Sequence, residues 1–281
     1  MATATLTRPT EPVVSAAATT AGATPRTNRV RWTHELGLIA VLYAAYMLAR
    51  AAIGIHVGAA HARGERILDI ESWLHLDLEL PLNQLVSALP LLGLLFAYAY
   101  ATLHYVVTPL VLGWIAVRRA PSYRLARNAL VFATVIGLVG YWLLPTAPPR
   151  MLGSEWVDTM SQFSGVGWWG EAASAPRGME GFSNQYAAFP SLHVGWAMWV
   201  ALCLRRMSRS TWVARWAWTY PAFMTVVVMG TANHYLVDAL AGIACAVIGY
   251  RLAQRMGGRR SGQVSPRERD DLWGEDLHRV A

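Results

Sequence analysis

Lysine is absent from this chain of 281 residues, so arginine alone supplies its basic side chains and its net charge of +7. Charged residues are scarce as well: they make up 15% of the chain, whereas about 25% is usual in soluble domains. The arginines stand in short groups between apolar runs and not on one face, which argues against a nucleic-acid partner. Hydrophobic residues make up 54%, and several apolar runs have bilayer length, so the chain is predicted to be an integral membrane protein.

Cysteine is nearly absent too. Cys203 and Cys245 both lie inside apolar runs, and neither has a second cysteine close by in the sequence. This pattern is typical of small buried side chains, and it indicates neither a disulfide framework nor a zinc site.

The apolar runs predict an all-α fold in which residues 31–256 form a bundle of six transmembrane helices. The predicted spans are 35–55, 82–117, 126–144, 191–204, 212–230 and 233–252. The second run is long enough to include an interfacial continuation, but a single helix kinked near Pro109 is favoured because no polar turn divides the run. Residues 56–80 combine many charges with apolar side chains at helical spacing, which predicts an interfacial amphipathic helix after the first span.

The arginine-rich segments predict the orientation in the membrane. Residues 1–30 lack the apolar segment of a signal peptide and are predicted to be a disordered tail, and residues 257–281 form a second polar tail. With six spans, both tails and the loops at 118–127 and 205–215 lie on one side. That side is cytoplasmic because it is rich in arginine. The long loop 146–190 and two histidine motifs then belong to the outer side.

The first motif is Pro190-Ser191-Leu192-His193, at the start of the fourth predicted span. Proline and serine commonly begin helices, and a helix N-terminus offers free N–H groups and a positive dipole end to an anion such as phosphate. Ser191 is a candidate hydroxyl donor, and His193 is a candidate proton donor or acceptor. The alternative is a serine cap followed by a histidine at the level of the lipid headgroups.

The second motif is His234-Tyr235-Leu236-Val237-Asp238, at the start of the sixth predicted span. On a helix, His234 and Asp238 share one face. A carboxylate on one imidazole nitrogen leaves the other nitrogen free as a nucleophile or base. The alternative is a structural polar pair between helices.

Arg150 follows Pro148 and Pro149 at the outer end of the third predicted span. Its guanidinium is a candidate clamp for phosphate oxygens, although an arginine after a span also serves as an interface anchor. With the two motifs, it supplies the cation, helix N-terminus, acid and oriented nucleophile that phosphoryl transfer without a metal requires. Metal binding is the competing chemistry, but it needs three close ligands, and the glutamates lie mostly in segment 56–80.

The Phe-Pro-Ser-Leu-His and His-Tyr-Leu-Val-Asp motifs, in this order, resemble the type-2 phosphatidic acid phosphatase superfamily. The spelling Pro-Ser-Leu-His and the Pro-Pro-Arg before the long loop resemble most its inositol-phosphorylceramide-synthase-like branch. The resemblance implies that His234 attacks phosphorus and forms a phosphohistidine, that Asp238 orients it, and that His193 protonates the leaving oxygen. By position, Arg150 and Ser191 would hold the phosphate. It implies no metal and no cofactor.

The chain departs from the superfamily pattern in two places. A first motif built on lysine has no counterpart, since this chain lacks lysine. The arginine usually found six residues before the nucleophilic histidine is replaced by Val228. The phosphate charge must then be met elsewhere, which gives Arg150 more weight.

The sequence therefore predicts a membrane enzyme that acts on a phospholipid or polyprenyl phosphate at the outer leaflet, with water or an alcohol such as inositol as acceptor. Its expected partners are this lipid phosphate and the membrane lipids. One alternative is a histidine-ligated membrane cytochrome or metal carrier, for which other histidines are candidates: His56, His61, His75 and His104. A second alternative is a non-catalytic, transporter-like membrane protein.

Overall fold

The structure is a computed structural model that describes residues 57–170, 177–178 and 184–261, together with seven separate residues between positions 33 and 44. Apart from those seven, the predicted first span lies outside the described residues, as does the N-terminal tail. The C-terminal tail beyond residue 261 also lies outside them.

Helices make up the regular structure of the described ranges, which confirms the predicted all-α class. An isolated parallel bridge joins Thr146 to Ala187, and no strand occurs in the described part of the chain. The α-helices in chain order are α1 (Val57–Trp73), α2 (Glu79–Ala88), α3 (Pro90–Arg118), α4 (Ala120–Leu143), α5 (Thr159–Gln162), α6 (Leu192–Met207), α7 (Thr211–Trp216), α8 (Thr219–Gly230) and α9 (Leu236–Ser261). A 3-10 turn covers Pro149–Met151 in the loop between α4 and α5.

Three of these helices are long and apolar enough to cross a membrane. They are α3, α4 and the segment Leu236–Gly257 of α9. Each exposes large apolar side chains, among them Leu110, Val139 and Leu240, as expected of helices that face lipid. By comparison α6 has 16 residues and α8 has 12, so each is shorter than the roughly 20 residues of a full crossing.

The structure corrects the predicted boundaries of the second, fifth and sixth spans. The second run is not a single helix, because Leu89 adopts an extended conformation (φ −110°, ψ 96°) and separates α2 from α3. Pro90 then begins α3, where its missing N–H costs nothing. The fifth run is divided into α7 and α8, and the sixth helix begins at Leu236, after His234 and not before it.

Segment 56–80 contains the predicted helix, and its charged side chains are divided between the surface and the interior. The apolar side chains of Ile70 and Trp73 are exposed, whereas Glu71 and Glu79 are 1% and 0% exposed. The exposed apolar side chains leave one face of α1 for the membrane interface, as the predicted interfacial helix requires. Two carboxylates of this segment point into the molecule.

Small residues let α9 lie against the other long helices. It packs most extensively on α4 and α6. A Cβ added at Gly242 would lie 2.1 Å from the carbonyl oxygen of Ser191, and one added at Gly249 would lie 2.6 Å from the backbone nitrogen of Ala133. These close approaches set the start of α6 beside the start of α9.

Candidate active site

The contact between α6 and α9 brings the two histidine motifs together. The backbone N–H of Ser191 donates to the carbonyl oxygen of Asp238 at 2.9 Å. The ring centroids of His193 and His234 lie 5.8 Å apart. Two imidazoles at this separation are close enough to contact one phosphoryl group.

The ring of His234 is held by two acceptors on the same nitrogen. Its Nδ1 lies 2.7 Å from the carbonyl oxygen of Ala188 and 3.4 Å from Oδ2 of Asp238. A carbonyl oxygen only accepts, so Nδ1 must carry the proton. Nε2 therefore keeps its lone pair, which is the tautomer that a nucleophile needs. Asp238 shares the Nδ1 proton with a backbone carbonyl group that the sequence did not indicate.

The backbone that carries His234 is fixed by a tight turn. The carbonyl oxygen of Val228 accepts the N–H groups of both Asn233 and His234, at 3.1 and 3.2 Å. Ala232 adopts the left-handed conformation (φ 55°) that closes this turn. Where the superfamily pattern has an arginine, this chain therefore provides a fully buried valine whose main chain shapes the turn.

Carboxylates fill the first turn of α9. Asp238 accepts the N–H of Tyr235 at 3.0 Å. Glu79 accepts the N–H of Leu236 and Glu71 accepts that of Val237, each at 2.7 Å. Negative groups are favoured at a helix N-terminus, where the dipole is positive and the N–H groups lack partners within the helix. The protein's own acids therefore occupy the donors that a phosphate would use at this helix.

His193 is positioned by packing. Its ring stacks on Tyr100 at a centroid distance of 4.2 Å and meets the edge of His104 at 4.3 Å. Its Nε2 is buried without a hydrogen-bond partner in the part of the chain that the structure describes. A buried polar atom of this kind needs a partner, and a substrate oxygen would supply one.

Fewer backbone N–H groups have an acceptor in the first turn of α6 than at the start of α9. Ser191 is the N-cap, and its hydroxyl oxygen accepts the N–H of Val194 at 3.5 Å, a long contact. Among the described residues, no acceptor meets the N–H groups of Leu192 and His193. The α6 N-terminus therefore presents donors beside both catalytic candidates.

Arg150 joins the site through the residue that precedes His234. Its Nη1 donates to Oδ1 of Asn233 at 2.5 Å, and its Nε lies 3.3 Å from Oδ2 of Asp158. The Arg150 N–H also donates to the carbonyl of Ala232 at 3.0 Å. Its side chain is only 5% exposed. The guanidinium is thus held next to the His234 turn by two polar partners.

Several residues of the site were missed by reasoning from the sequence. They are Glu71, Glu79, Tyr100, Ala188 and Asn233, and His104 was considered only as a haem or metal ligand. Asn233 was detectable because it directly precedes His234. Ala188 directly precedes the Phe-Pro-Ser-Leu-His motif, but it acts through its backbone carbonyl, which no residue type indicates. The remaining residues lie on helices far away in the sequence, and no local pattern marks them.

The remaining histidines lie elsewhere. His61 packs on Tyr186, His75 lies exposed in the turn after α1, and His56 falls outside the described residues. Within the described ranges, no group of three or more histidine, cysteine, aspartate or glutamate side chains is placed to hold a metal ion.

Comparison with known proteins gives a family for these motifs. The family model described as the PAP2 superfamily matches residues 65–252. Phosphoinositol dihydroceramide synthase of Bacteroides thetaiotaomicron is 32% identical over 139 residues, which are 44% of this chain and 44% of that protein. Inositol phosphorylceramide synthase catalytic subunit aur1 of Schizosaccharomyces pombe is 26% identical over 184 residues, which are 59% of this chain and 41% of that protein.

The match thus spans less than half the length of each of these two curated relatives. Among solved structures, Aquifex aeolicus LpxE is similar with a TM-score of 0.48 and 17% identity, over 64% of this chain and 94% of that chain.

Proposed function

We propose that this chain, which belongs to the PAP2 superfamily, is an integral membrane enzyme of lipid phosphate chemistry. In this proposal it hydrolyses or transfers a phosphate-linked group of a lipid, and the reaction passes through a phosphohistidine on His234. The family and the membrane-spanning helices support an enzyme of lipid phosphate chemistry. The intermediate, the substrate and the acceptor are proposals.

One observation carries this function. The Nδ1 proton of His234 is committed to the Ala188 carbonyl oxygen and to Asp238. In this tautomer Nε2 carries the lone pair that attack on phosphorus needs. His193 lies close by with a buried nitrogen that lacks a partner among the described residues.

The reaction follows from these roles. Nε2 of His234 attacks phosphorus, and the bond between phosphorus and the leaving oxygen breaks while protonated His193 gives that oxygen its proton. In the second half, the oxygen of an acceptor attacks phosphorus and the P–N bond breaks. His193 takes the acceptor proton, so both histidines return to their starting states.

Phosphate oxygens would be held at the start of α6. The N–H groups of Leu192 and His193 are available there, and Ser191 caps the same turn. Arg150 would supply positive charge from the other side of the His234 turn. The first turn of α9 is excluded from this role because Glu71, Glu79 and Asp238 already fill it.

The proposed substrate is a phospholipid or polyprenyl phosphate, with water or an alcohol such as inositol as acceptor. The names of the two curated relatives favour transfer that involves an inositol phosphate group. In the proposed topology six helices cross the membrane, the span at 35–55 included. Both termini are then cytoplasmic and the active site faces the outer leaflet.

A panel of lipid phosphates, lipid diphosphates and phosphatidylinositol, offered to the purified protein with and without inositol, tests this function. Phosphate release and headgroup transfer should be measured separately, in the presence of EDTA. We expect turnover of at least one lipid under these conditions. An acid-labile phosphate that mass spectrometry places on His234 is expected in rapidly quenched samples.

Failure of every lipid in the panel would contradict the proposed activity. Turnover with the label on another residue would contradict the nucleophile. Loss of turnover in EDTA that a divalent cation restores would contradict metal independence. A Soret band in the purified protein would favour the cytochrome alternative instead.

A further inference from the structure

Glu71 and Glu79 have no role in the mechanism above, yet their carboxyl groups bind the helix turn that follows His234. Glu71 comes from α1 and Glu79 begins α2, and both are at most 1% exposed. Each reaches more than 150 residues along the chain to the first turn of α9. A buried carboxylate is costly, so such a pair needs compensating contacts.

The two carboxyl groups accept from the adjacent N–H groups of Leu236 and Val237, so they meet at the same helix turn. The Oε2 atom of each is buried, and neither has a donor among the described residues. Two ionised carboxylates cannot form a hydrogen bond, since both only accept. One shared proton would satisfy both Oε2 atoms and leave the Oε1 atoms free to accept from α9.

The close docking of α1 supports this geometry. A Cβ added at Gly64 would lie 2.5 Å from the hydroxyl oxygen of Tyr235, which donates to the carbonyl of Ala147 at 2.6 Å. The absence of a side chain at Gly64 therefore brings α1 against the residue that follows His234. From this position Glu71 reaches the N–H of Val237.

We propose that Glu71 and Glu79 share one proton and together hold the first turn of α9, so that His234 is positioned for attack on phosphorus. This inference rests on the proposed function. The two glutamates are positioning residues, because they contact the backbone after His234 and not the reacting atoms. With the Val228 and Asp238 contacts, five successive N–H groups from residue 233 to residue 237 have acceptors.

The charged groups around Glu71 and Glu79 determine the pH at which the two residues lose their shared proton. Burial raises the pKa of Glu71 to about 8, the Val237 N–H opposes that shift, and repulsion from Glu79 and Asp238 adds to it. Burial likewise raises the pKa of Tyr235, together with repulsion from Asp238 and both glutamates, while Arg150 lowers it. Near that pH the pair gains a second negative charge beside Asp238, and the first turn of α9 is expected to loosen.

Proton linkage gives the direction in which the folding stability changes with pH. Above the ordinary pKa of 4.5, the unfolded chain has released the Glu71 proton, whereas the folded protein keeps it until about 8. The folded state therefore binds more protons in this range, and its stability falls as the pH rises through it.

Two variants, Glu71→Gln and Glu71→Ala, distinguish a role of Glu71 in positioning His234 from a general contribution of Glu71 to folding. In Glu71→Gln the amide oxygen still accepts from Val237 and the amide NH₂ group can donate to Oε2 of Glu79. This variant therefore mimics the proton-sharing pair without a proton that Glu71 can lose. We expect near-normal kcat at neutral pH and an activity that persists to higher pH than in the wild type. Glu71→Ala should lower kcat by about 10²-fold with little change in KM, because a small misplacement of a catalytic group has this effect. Glu65→Ala, exposed on the same helix, is the matched control.

Wild-type kcat in Glu71→Ala would overturn the proposal, and so would an unchanged alkaline limit in Glu71→Gln. A second measurement does not depend on turnover: thermal stability from about pH 5 to about pH 9 should fall more steeply in the wild type than in Glu71→Gln. Equal slopes would contradict the shared proton. If the wild type processes no lipid phosphate, the proposed function fails, and the stability slopes still decide whether the pair shares a proton.

Discussion

The two segments that carry the proposed catalytic histidines begin helices, but they are held in different ways. His234 precedes α9, and hydrogen bonds fix its ring nitrogen, its backbone and the helix turn that follows. His193 lies inside the first turn of α6, where the rings of Tyr100 and His104 pack around it. The proposed nucleophile is thus fixed by directional bonds that select one tautomer. The proposed proton donor is held by packing, and its buried Nε2 has no hydrogen-bond partner among the described residues, which leaves that atom for a substrate oxygen.

Removing His234 should have the largest effect. We expect His234→Ala to reduce kcat by at least about 10⁴-fold, because a nucleophile and its base act as a unit that no neighbour replaces. The measurement is turnover of the best lipid in the panel, with folding checked by thermal unfolding. His75→Asn is the control, because asparagine tolerates the positive φ of that exposed turn. Near-normal activity of His234→Ala would exclude the proposed mechanism.

Removing His193 should have a smaller effect that depends on the leaving group. General acid catalysis contributes about 10²–10⁴-fold, so His193→Ala should lose this much activity on a lipid phosphate, whose alkoxide leaving group needs a proton. On 4-nitrophenyl phosphate the loss should be much smaller, because nitrophenolate leaves without one. Equal losses on both substrates would mean that His193 does not protonate the leaving oxygen.

Substitution of Arg150 tests whether its positive charge helps to bind the phosphate group beside the His234 turn. We expect Arg150→Ala to raise KM roughly tenfold to 100-fold with a smaller change in kcat, because a hydrogen bond to a charged group contributes about 1.5–3 kcal/mol. The exposed Arg66→Ala on α1 is the control. If KM stays unchanged, the phosphate charge is met by other groups, and the pairing of Arg150 with Asp158 and Asn233 is purely structural.

The smallest effect is expected at the α6 cap. Ser191→Ala removes the N-cap hydroxyl and should destabilise the protein by about 1 kcal/mol. The control is Ser210→Ala, which removes the corresponding N-cap hydroxyl from α7. Ser210 is exposed and does not contact the proposed site. Both variants should lower the thermal midpoint, and only Ser191→Ala should also reduce kcat/KM, by less than about tenfold. Equal activity of the two variants would remove Ser191 from the phosphate site.

Local patterns were enough to single out the two histidines and the aspartate that the structure brings together, because each motif is short and lies at the end of an apolar run. They were not enough to place the carboxylates of α1 and α2. Glu71 and Glu79 read as part of a charged surface, and their partners lie 166 and 157 residues further along the chain. Nothing in the neighbouring sequence indicates a bond between residues so far apart.

The helix boundaries show a similar limit. The apolar run from Leu82 to Val117 has no polar turn, so hydropathy predicts one helix. The interruption at Leu89 is a matter of backbone conformation, and Pro90 was its only local sign. The membrane character and the all-helical class, in contrast, follow from composition averaged over many residues, and both agree with the structure.

The contact between α6 and α9 is made largely of main chain. A Cβ added at Gly195 would lie 2.9 Å from the carbonyl oxygen of Gly242, and Ser191 bonds Asp238 through backbone atoms on both sides. The spacing of the two backbone segments that carry the histidines is therefore set by the joined main chains, while neighbouring side chains orient the two rings. Exposed apolar positions such as Leu240 take no part in this contact, so we expect substitutions there to leave the separation of the two histidines unchanged.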